Sequence, residues 1–303
     1  MAAKACQVEL TLHAYAHDGF VYPLPDGHRF PLGKYALLRA RAAEEPRLDV
    51  RDSRAATREE LLLAHTADWV DRVERGDLTR DEQRALGLPW SPELAERARR
   101  SVGATLEAAD AALDDGAAAN LGGGTHHAFP TAGRGFCVFN DVVAATRSLR
   151  ARGRLRRVLV VDLDVHQGDG THTALADDDA AFTLSLNGRR NYPFRRVAGD
   201  LECDLPDGTG DDAYLDALAS LLPRAVARAR AELCFYLAGA DPFEGDRLGR
   251  LALTRAGLAG RDQLVRSTLL RAGIPVCVTL AGGYAERLED TVAINLATLR
   301  VFA

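Results

Sequence analysis

The stretch Arg157-Val158-Leu159-Val160-Val161-Asp162-Leu163-Asp164-Val165-His166-Gln167-Gly168-Asp169-Gly170 decides the fold. Its first half is an apolar run that predicts a buried strand, too hydrophobic for an exposed edge. Its second half turns abruptly polar. Strand side chains alternate between faces, so Asp162, Asp164 and His166 lean to one side while Val161, Leu163 and Val165 lean to the other. Two carboxylates and an imidazole leaving a buried strand together are costly unless something compensates their charge. A divalent metal would do so. Asp and His suit Zn²⁺, and three protein ligands beside an open position mark a catalytic site. The bland alternative, a solvated acidic turn, fits poorly behind so apolar a run.

Three more runs have the same character: Phe182–Leu186, Leu233–Ala238 and Pro275–Leu280. Amphipathic stretches with helix punctuation lie among them. Ser91-Pro92-Glu93 offers an N-cap and a first-turn proline for a helix running to Leu113, with Gly116 as its stop. Thr57-Arg58-Glu59-Glu60 fits a capping box. Asp211–Arg230 and Thr254–Ala272, the latter followed by Gly273, complete the series. Strand and helix in alternation predict one α/β domain over residues 1–303, a parallel β-sheet with helices on both faces. No internal repeat or break in composition divides it. In such folds, ligands bind beyond the C-terminal ends of the strands.

Those ends carry the other candidates. Leu233–Ala238 runs into Gly239-Ala240-Asp241-Pro242. Alone, Asp241 reads equally as a turn residue, which Pro242 supports; beside Asp164 and His166 it reads as a third ligand. Leu121-Gly122-Gly123-Gly124-Thr125-His126-His127 is a glycine-rich loop with adjacent histidines. No Gly-Lys-Ser/Thr follows, which argues against a phosphate loop. The histidines suit a general base and its partner, and spacing leaves open that they bind metal. Val278–Leu280 ends in Ala281-Gly282-Gly283-Tyr284. Tyr284 reads as a packing residue or, near a metal, as a hydrogen-bond donor to an oxyanion.

Bulk properties bound the rest. The 303 residues carry 38 basic and 43 acidic side chains, a net charge of −5. That balance offers no global field for nucleic acid or an anionic membrane. Lysine occurs only at Lys4 and Lys34, a composition bias toward arginine. No apolar run approaches transmembrane length. His13, His17 and Asp18 interrupt what would be a secretory leader. The five cysteines, Cys6, Cys137, Cys203, Cys234 and Cys277, are scattered and form no CxxC pair. They read as reduced thiols of a cytoplasmic protein. Leu215–Leu222 reads as core rather than as a dimer contact, and oligomeric state is not legible.

Together, GGGTHHA, GFCVFND, DLDVHQGDG, AGADPFEGDRLG and AGGY, in this order and approximate spacing, resemble the histone deacetylase superfamily from about Pro23 to the end. The segments PLPDGHRFPLGKY, NYPFRR and LPDGTGDDAYL look most like class IV members and their bacterial relatives. The resemblance implies the arginase–deacetylase fold and a zinc-dependent amidohydrolase acting on an acylated lysine or other acylated amine. Zn²⁺, or Fe²⁺ in the cell, would sit on Asp164, His166 and Asp241. His126 and His127 would be the catalytic pair, with Asp162 and Asp169 as their carboxylate partners, and Tyr284 would polarise the carbonyl. Gly135, Phe136 and Gly283 would line the substrate channel. The segment holding Asp162, Asp164, His166, Ser185 and Leu186 would hold a structural K⁺. Lys34 falls where many relatives have an arginine beside an internal acetate pocket. Ala281 stands where many relatives have glycine, which removes no chemical group. An acetylpolyamine amidohydrolase would need an acidic gate, for which Asp18, Asp26 and Glu244 are candidates. A catalytically silent binding module would be expected to lack a ligand, the histidine pair or the tyrosine, and this chain retains them all.

Overall fold

Every residue of Val158–Asp162 is buried, and this strand pairs in parallel with a neighbour on each side. It belongs to a sheet described, with the rest of residues 11–303, by a computed structural model. The strands are β1 (Leu12–Ala16), β2 (Leu48–Asp52), β3 (Ala117–Asn120), β4 (Val158–Asp162), β5 (Ala181–Gly188), β6 (Leu201–Leu205), β7 (Leu233–Leu237) and β8 (Val276–Thr279). The sheet runs β2-β1-β3-β8-β7-β4-β5-β6, and every pairing is parallel. Parallel neighbours need crossovers, and helices supply most of them.

The helices are α1 (Gly33–Ala42), α2 (Arg58–Leu62), α3 (Ala67–Arg75), α4 (Arg80–Leu86), α5 (Pro92–Asp115), α6 (Asp141–Ala151), α7 (Asp169–Leu175), α8 (Asp211–Ala229), α9 (Arg255–Ala272) and α10 (Leu288–Phe302). The expected punctuation is in place. The Ser91 hydroxyl accepts from the Leu94 amide, Gly116 ends α5, and Thr57 and Glu60 close a reciprocal capping box on α2. Thr254 caps α9, and Gly273 ends it at φ 66°.

Two apolar cores, one on each face, clamp the sheet. Leu159, Val161, Leu163 and Val165 pack with α1, α8, α9 and α10. Val158 and Val160 pack with α5, α6 and the short helices α2 to α4. The alternation read along this strand therefore holds, and it carries Asp162 and Asp164 out on the α5–α6 side. Leu218 and Leu222 are core residues of α8. Cys137, Cys234 and Cys277 are buried free thiols and Cys203 is half-buried, whereas Cys6 lies outside the described residues. No helix among the described residues is long and apolar enough to cross a membrane.

Candidate active site

Four adjacent central strands, β3, β8, β7 and β4, aim their C-terminal ends at one place. Past β4, Asp164 and His166 turn inward, and past β7 so does Asp241. The three offer ligand atoms within 4.8 Å of one another. His166 Nδ1 lies 2.9 Å from Asp164 Oδ1 and 3.2 Å from Asp241 Oδ2. The carboxylates are oriented from behind. Asp241 Oδ1 accepts from the Val165 amide at 3.0 Å, and Asp164 Oδ2 accepts from the Gly282 amide at 2.7 Å. Asp241 Oδ2 is buried, and its contact with His166 is a charge contact that lacks hydrogen-bond geometry.

Electrostatics show the strain of packing these groups together. Burial and the charge of Asp164 push Asp241 up to about 7. Burial opposes the charged form of Asp164, but His126 and His166 outweigh it and hold the carboxyl well below its usual range. Burial also lowers His166, but its contacts with Asp164 and Asp241 lift it to about 10. Two buried carboxylates held this close favour a positive charge between them, whether on a protonated imidazole or on a bound cation that leaves the imidazole neutral. The donor set fits a divalent cation: two carboxylates, one imidazole, and a buried oxygen lacking a hydrogen bond. Glycine backs this cradle out of need. A Cβ on Gly282 would stand 1.8 Å from Asp241 Oδ2 and 2.5 Å from Asp164 Oδ2.

The loop after β3 brings in the paired histidines, with ring centroids 4.2 Å apart. Asp141, fully buried at the start of α6, accepts from the amides of Gly124 and Thr125 and fixes the loop. His126 Nδ1 meets Asp162 Oδ2, and His127 Nδ1 meets Asp169 Oδ1, each at 2.7 Å. A carboxylate only accepts, so each imidazole donates from Nδ1 and keeps Nε2 free. The two differ in charge preference. Burial lowers His126, but Asp162 and Asp164 outweigh it and lift it to about 9. Burial and the neighbouring His126 press His127 down to about 4.

Tyr284 closes the far side, its ring 6.5 Å from that of His166. Burial, then the charges of Asp164 and Asp241, raises its phenol well above the ordinary value, so it stays a donor. Its peptide is gripped at both ends. Asp246 Oδ2 accepts from the Tyr284 amide at 2.6 Å, and the Tyr284 carbonyl accepts from Arg247 Nε at 3.2 Å. Lys34, only 2% exposed, donates to the Gly283 carbonyl at 3.2 Å.

These groups lie at the base of a channel of about 760 Å³. Phe136 and Gly135 line it, with Phe136 at φ 70° and Gly135 at φ 51°. A Cβ on Gly135 would meet the His127 ring at 2.7 Å, so glycine lets backbone pass the base closely. Gly283 is a correction. It does not line the channel; a Cβ there would abut Thr291 and Ala240, and Gly282 faces the channel in its place. A smaller cavity of about 50 Å³ holds His17, Tyr22 and Arg97, whereas Lys34 lines the main channel. Of the residues expected to hold a monovalent ion, Asp162 at the end of β4 pairs with Ser185 on the neighbouring interior strand β5, and Leu186 follows.

Sequence reasoning gave no role to Tyr192, Asp246, Arg247 or Arg261. Tyr192 packs edge-on to His127 with centroids 4.8 Å apart. Asp246 and Arg247 stand inside the quoted AGADPFEGDRLG segment, and that was their only signal. Arg261, fully buried on α9, donates to the carbonyls of Gly239 (2.6 Å) and Leu163 (3.4 Å). It thereby ties the loop of Asp241 to that of Asp164. It also pairs with Asp262, which the hydroxyls of Tyr236 and Thr298 contact at 2.5 and 2.6 Å.

Comparison with known proteins agrees with this geometry. Residues 28–299 match the histone deacetylase domain. The chain belongs to the histone deacetylase family. It is 44% identical to an uncharacterised protein of Picosynechococcus over 91% of this chain and 93% of that protein. It is 31% identical to histone deacetylase 2 of Arabidopsis thaliana, over 80% of this chain and 65% of that one. Among solved structures it superposes on a histone deacetylase homologue from Aquifex aeolicus with a TM-score of 0.83 at 27% identity, covering 96% of this chain and 84% of that one. The eight-stranded parallel sheet is thus this family's fold, and deacetylase or amidohydrolase activity follows from membership.

Proposed function

We propose that this chain is a zinc-dependent deacylase of the class IV type that hydrolyses the amide of an acylated lysine. The observation that carries the proposal is the cradle of Asp164, His166 and Asp241 beside two carboxylate-backed histidines and a buried tyrosine. The class IV assignment is supported by the flanking sequence segments, and zinc by the donor set. Zinc held there would polarise the substrate carbonyl and acidify a water. His127, neutral at physiological pH, accepts the water's proton at Nε2 while Asp169 holds its Nδ1–H. Tyr284 donates to the oxygen where negative charge develops. The histidine pair returns the proton to the leaving amine, with Asp162 steadying the imidazolium of His126. Phe136 and Tyr192 give the acyl-amine chain an apolar passage. A monovalent cation near Asp162, Asp164 and Ser185 is supported by the carboxylates gathered there. Zinc and reduced thiols suit a cytoplasmic setting.

Acetylpolyamines suit this site less well. Asp18 is engaged with Arg39, and neither Asp18, Asp26 nor Glu244 lines the channel. The test is hydrolysis of matched acetyl-, octanoyl- and myristoyl-lysine peptides and N-acetylpolyamines, with zinc content recorded. Wild type should cleave at least one peptide. D164A should lose its metal. Y284F should keep its metal and lose about 10²–10³-fold in kcat. Zinc-loaded wild type that cleaves no acyl-lysine peptide would overturn the proposal.

A further inference from the structure

The mouth of the channel has a charge pattern that the chemistry at its base does not use. Six arginines line it: Arg29, Arg84, Arg134, Arg190, Arg247 and Arg250. They come from segments widely separated in sequence, five from loops and Arg84 from α4, and all six are exposed. Among the described residues, the only acidic one lining the channel is Asp164, buried at its base. A chain with more acidic than basic residues has thus gathered one sign of charge around one opening.

Half of these arginines have a carboxylate partner, and two of those share one. Arg84 pairs with Asp81, and Arg190 and Arg250 share Asp207. Arg29, Arg134 and Arg247 have no carboxylate partner among the described residues. Arg29 lies over the Phe136 ring at 5.2 Å and Arg134 over the Phe129 ring at 4.7 Å, while Arg247 Nε holds the Tyr284 carbonyl. A cleft lined by one sign of charge concentrates ligands of the other and rejects its own. Guanidinium groups add bidentate geometry for carboxylates.

We infer that the preferred substrate is an acyl-lysine flanked by acidic residues in a polypeptide, with the flanking carboxylates held by this arginine ring. The spread of arginines around the opening favours several carboxylates on one chain over a single anion. The inference rests on the deacylase reading, because it assumes that the acylated side chain enters the channel.

The experiment separates the two. Three peptides carry one central acyl-lysine flanked by Glu, Gln or Lys, bearing the acyl group that wild type cleaves best, or acetyl if it cleaves none. Dissociation constants are measured by calorimetry on zinc-loaded Y284F, so that substrate persists, and turnover is measured on wild type. The Glu peptide should bind about ten-fold more tightly than the Lys peptide at ~0.05 M salt. The preference should shrink to about two-fold at ~0.5 M salt, where screening is strong. The paired exchange R29A/R134A, at exposed positions, should cut the preference about three-fold with an unchanged Tm. Equal binding of Glu and Lys peptides at low salt would overturn the inference even if all three are cleaved. A charge preference without any cleavage would uphold the arginine ring and overturn the deacylase reading. A preference that R29A/R134A leaves intact would overturn the assignment to these side chains.

Discussion

Arg261 offers a test of how the metal cradle is held. Methionine at this position fills similar space without charge. It removes the donors to the Gly239 and Leu163 carbonyls and leaves Asp262 buried without its cation. Asp262 keeps two hydroxyl donors, which soften the loss. Hydrogen bonds from a charged donor are worth about 1.5–3 kcal/mol each. Stripping one partner from a buried pair costs about 3–5 kcal/mol. The terms overlap, so R261M should lower the unfolding free energy by about 3–5 kcal/mol, which a domain stable by about 5–15 kcal/mol can survive. R261M/D262N removes the stranded charge and should recover about 1 kcal/mol or more of that loss. Urea unfolding of zinc-free protein measures both. The functional readout is separate. Gly239 stands two residues before Asp241 and Leu163 directly before Asp164, so both ligand loops lose a tether. Zinc affinity, measured by competition with a chromophoric chelator, should fall about 10–100-fold in folded R261M. Unchanged zinc affinity would refute the positioning role. A double variant less stable than R261M would refute the ion-pair account of its stability.

Two further outcomes follow from buried groups. G282A places a methyl group between the two carboxylates of the cradle, so zinc binding by the same competition should be lost while the far-ultraviolet circular dichroism is retained; wild-type zinc affinity would contradict the geometry. His65 is held neutral, its Nδ1 meeting the Phe129 carbonyl and its Nε2 accepting from the Asn140 amide. Burial is the main cause that lowers it to about 4. Above pH ~6.5 it is neutral both folded and unfolded. Below that, the unfolded chain takes up the proton first, so stability falls between pH ~6.5 and ~4 by about 3 kcal/mol from this residue. Urea unfolding against pH should show that loss in wild type and a shallower acid limb in H65Q.

How much was legible depends on range. The four strands named from sequence, β4, β5, β7 and β8, are fully buried, and unbroken apolar runs announce them. β1, β2, β3 and β6 went unread for physical reasons. β2 (Leu-Asp-Val-Arg-Asp) and β6 (Leu-Glu-Cys-Asp-Leu) are edge strands with polar faces, and β3 (Ala-Ala-Ala-Asn) has helix-favouring residues made extended by their neighbours. The candidate ligands, the histidine pair and Tyr284 were legible because each stands at a strand end or in a glycine-rich loop. The supports were not. Lys34 reaches across 249 residues to Gly283, and Arg261 across 98 to Leu163. Gly283 was expected to line the channel and Gly282 does so, because a one-residue shift changes which backbone faces it.

The place of β8 in the sheet has a consequence for a truncated chain. It is the last strand in sequence, yet it lies between β3 and β7. Without Val276–Thr279 the strand order divides into two runs, β2-β1-β3 and β7-β4-β5-β6. The first carries the histidine pair, the second all three candidate metal ligands, and the tyrosine follows β8 itself. Neither run contains the whole site. A chain that stops before β8 lacks both Gly282 and Tyr284, so the candidate site is complete only once the strand that joins the two runs is in place.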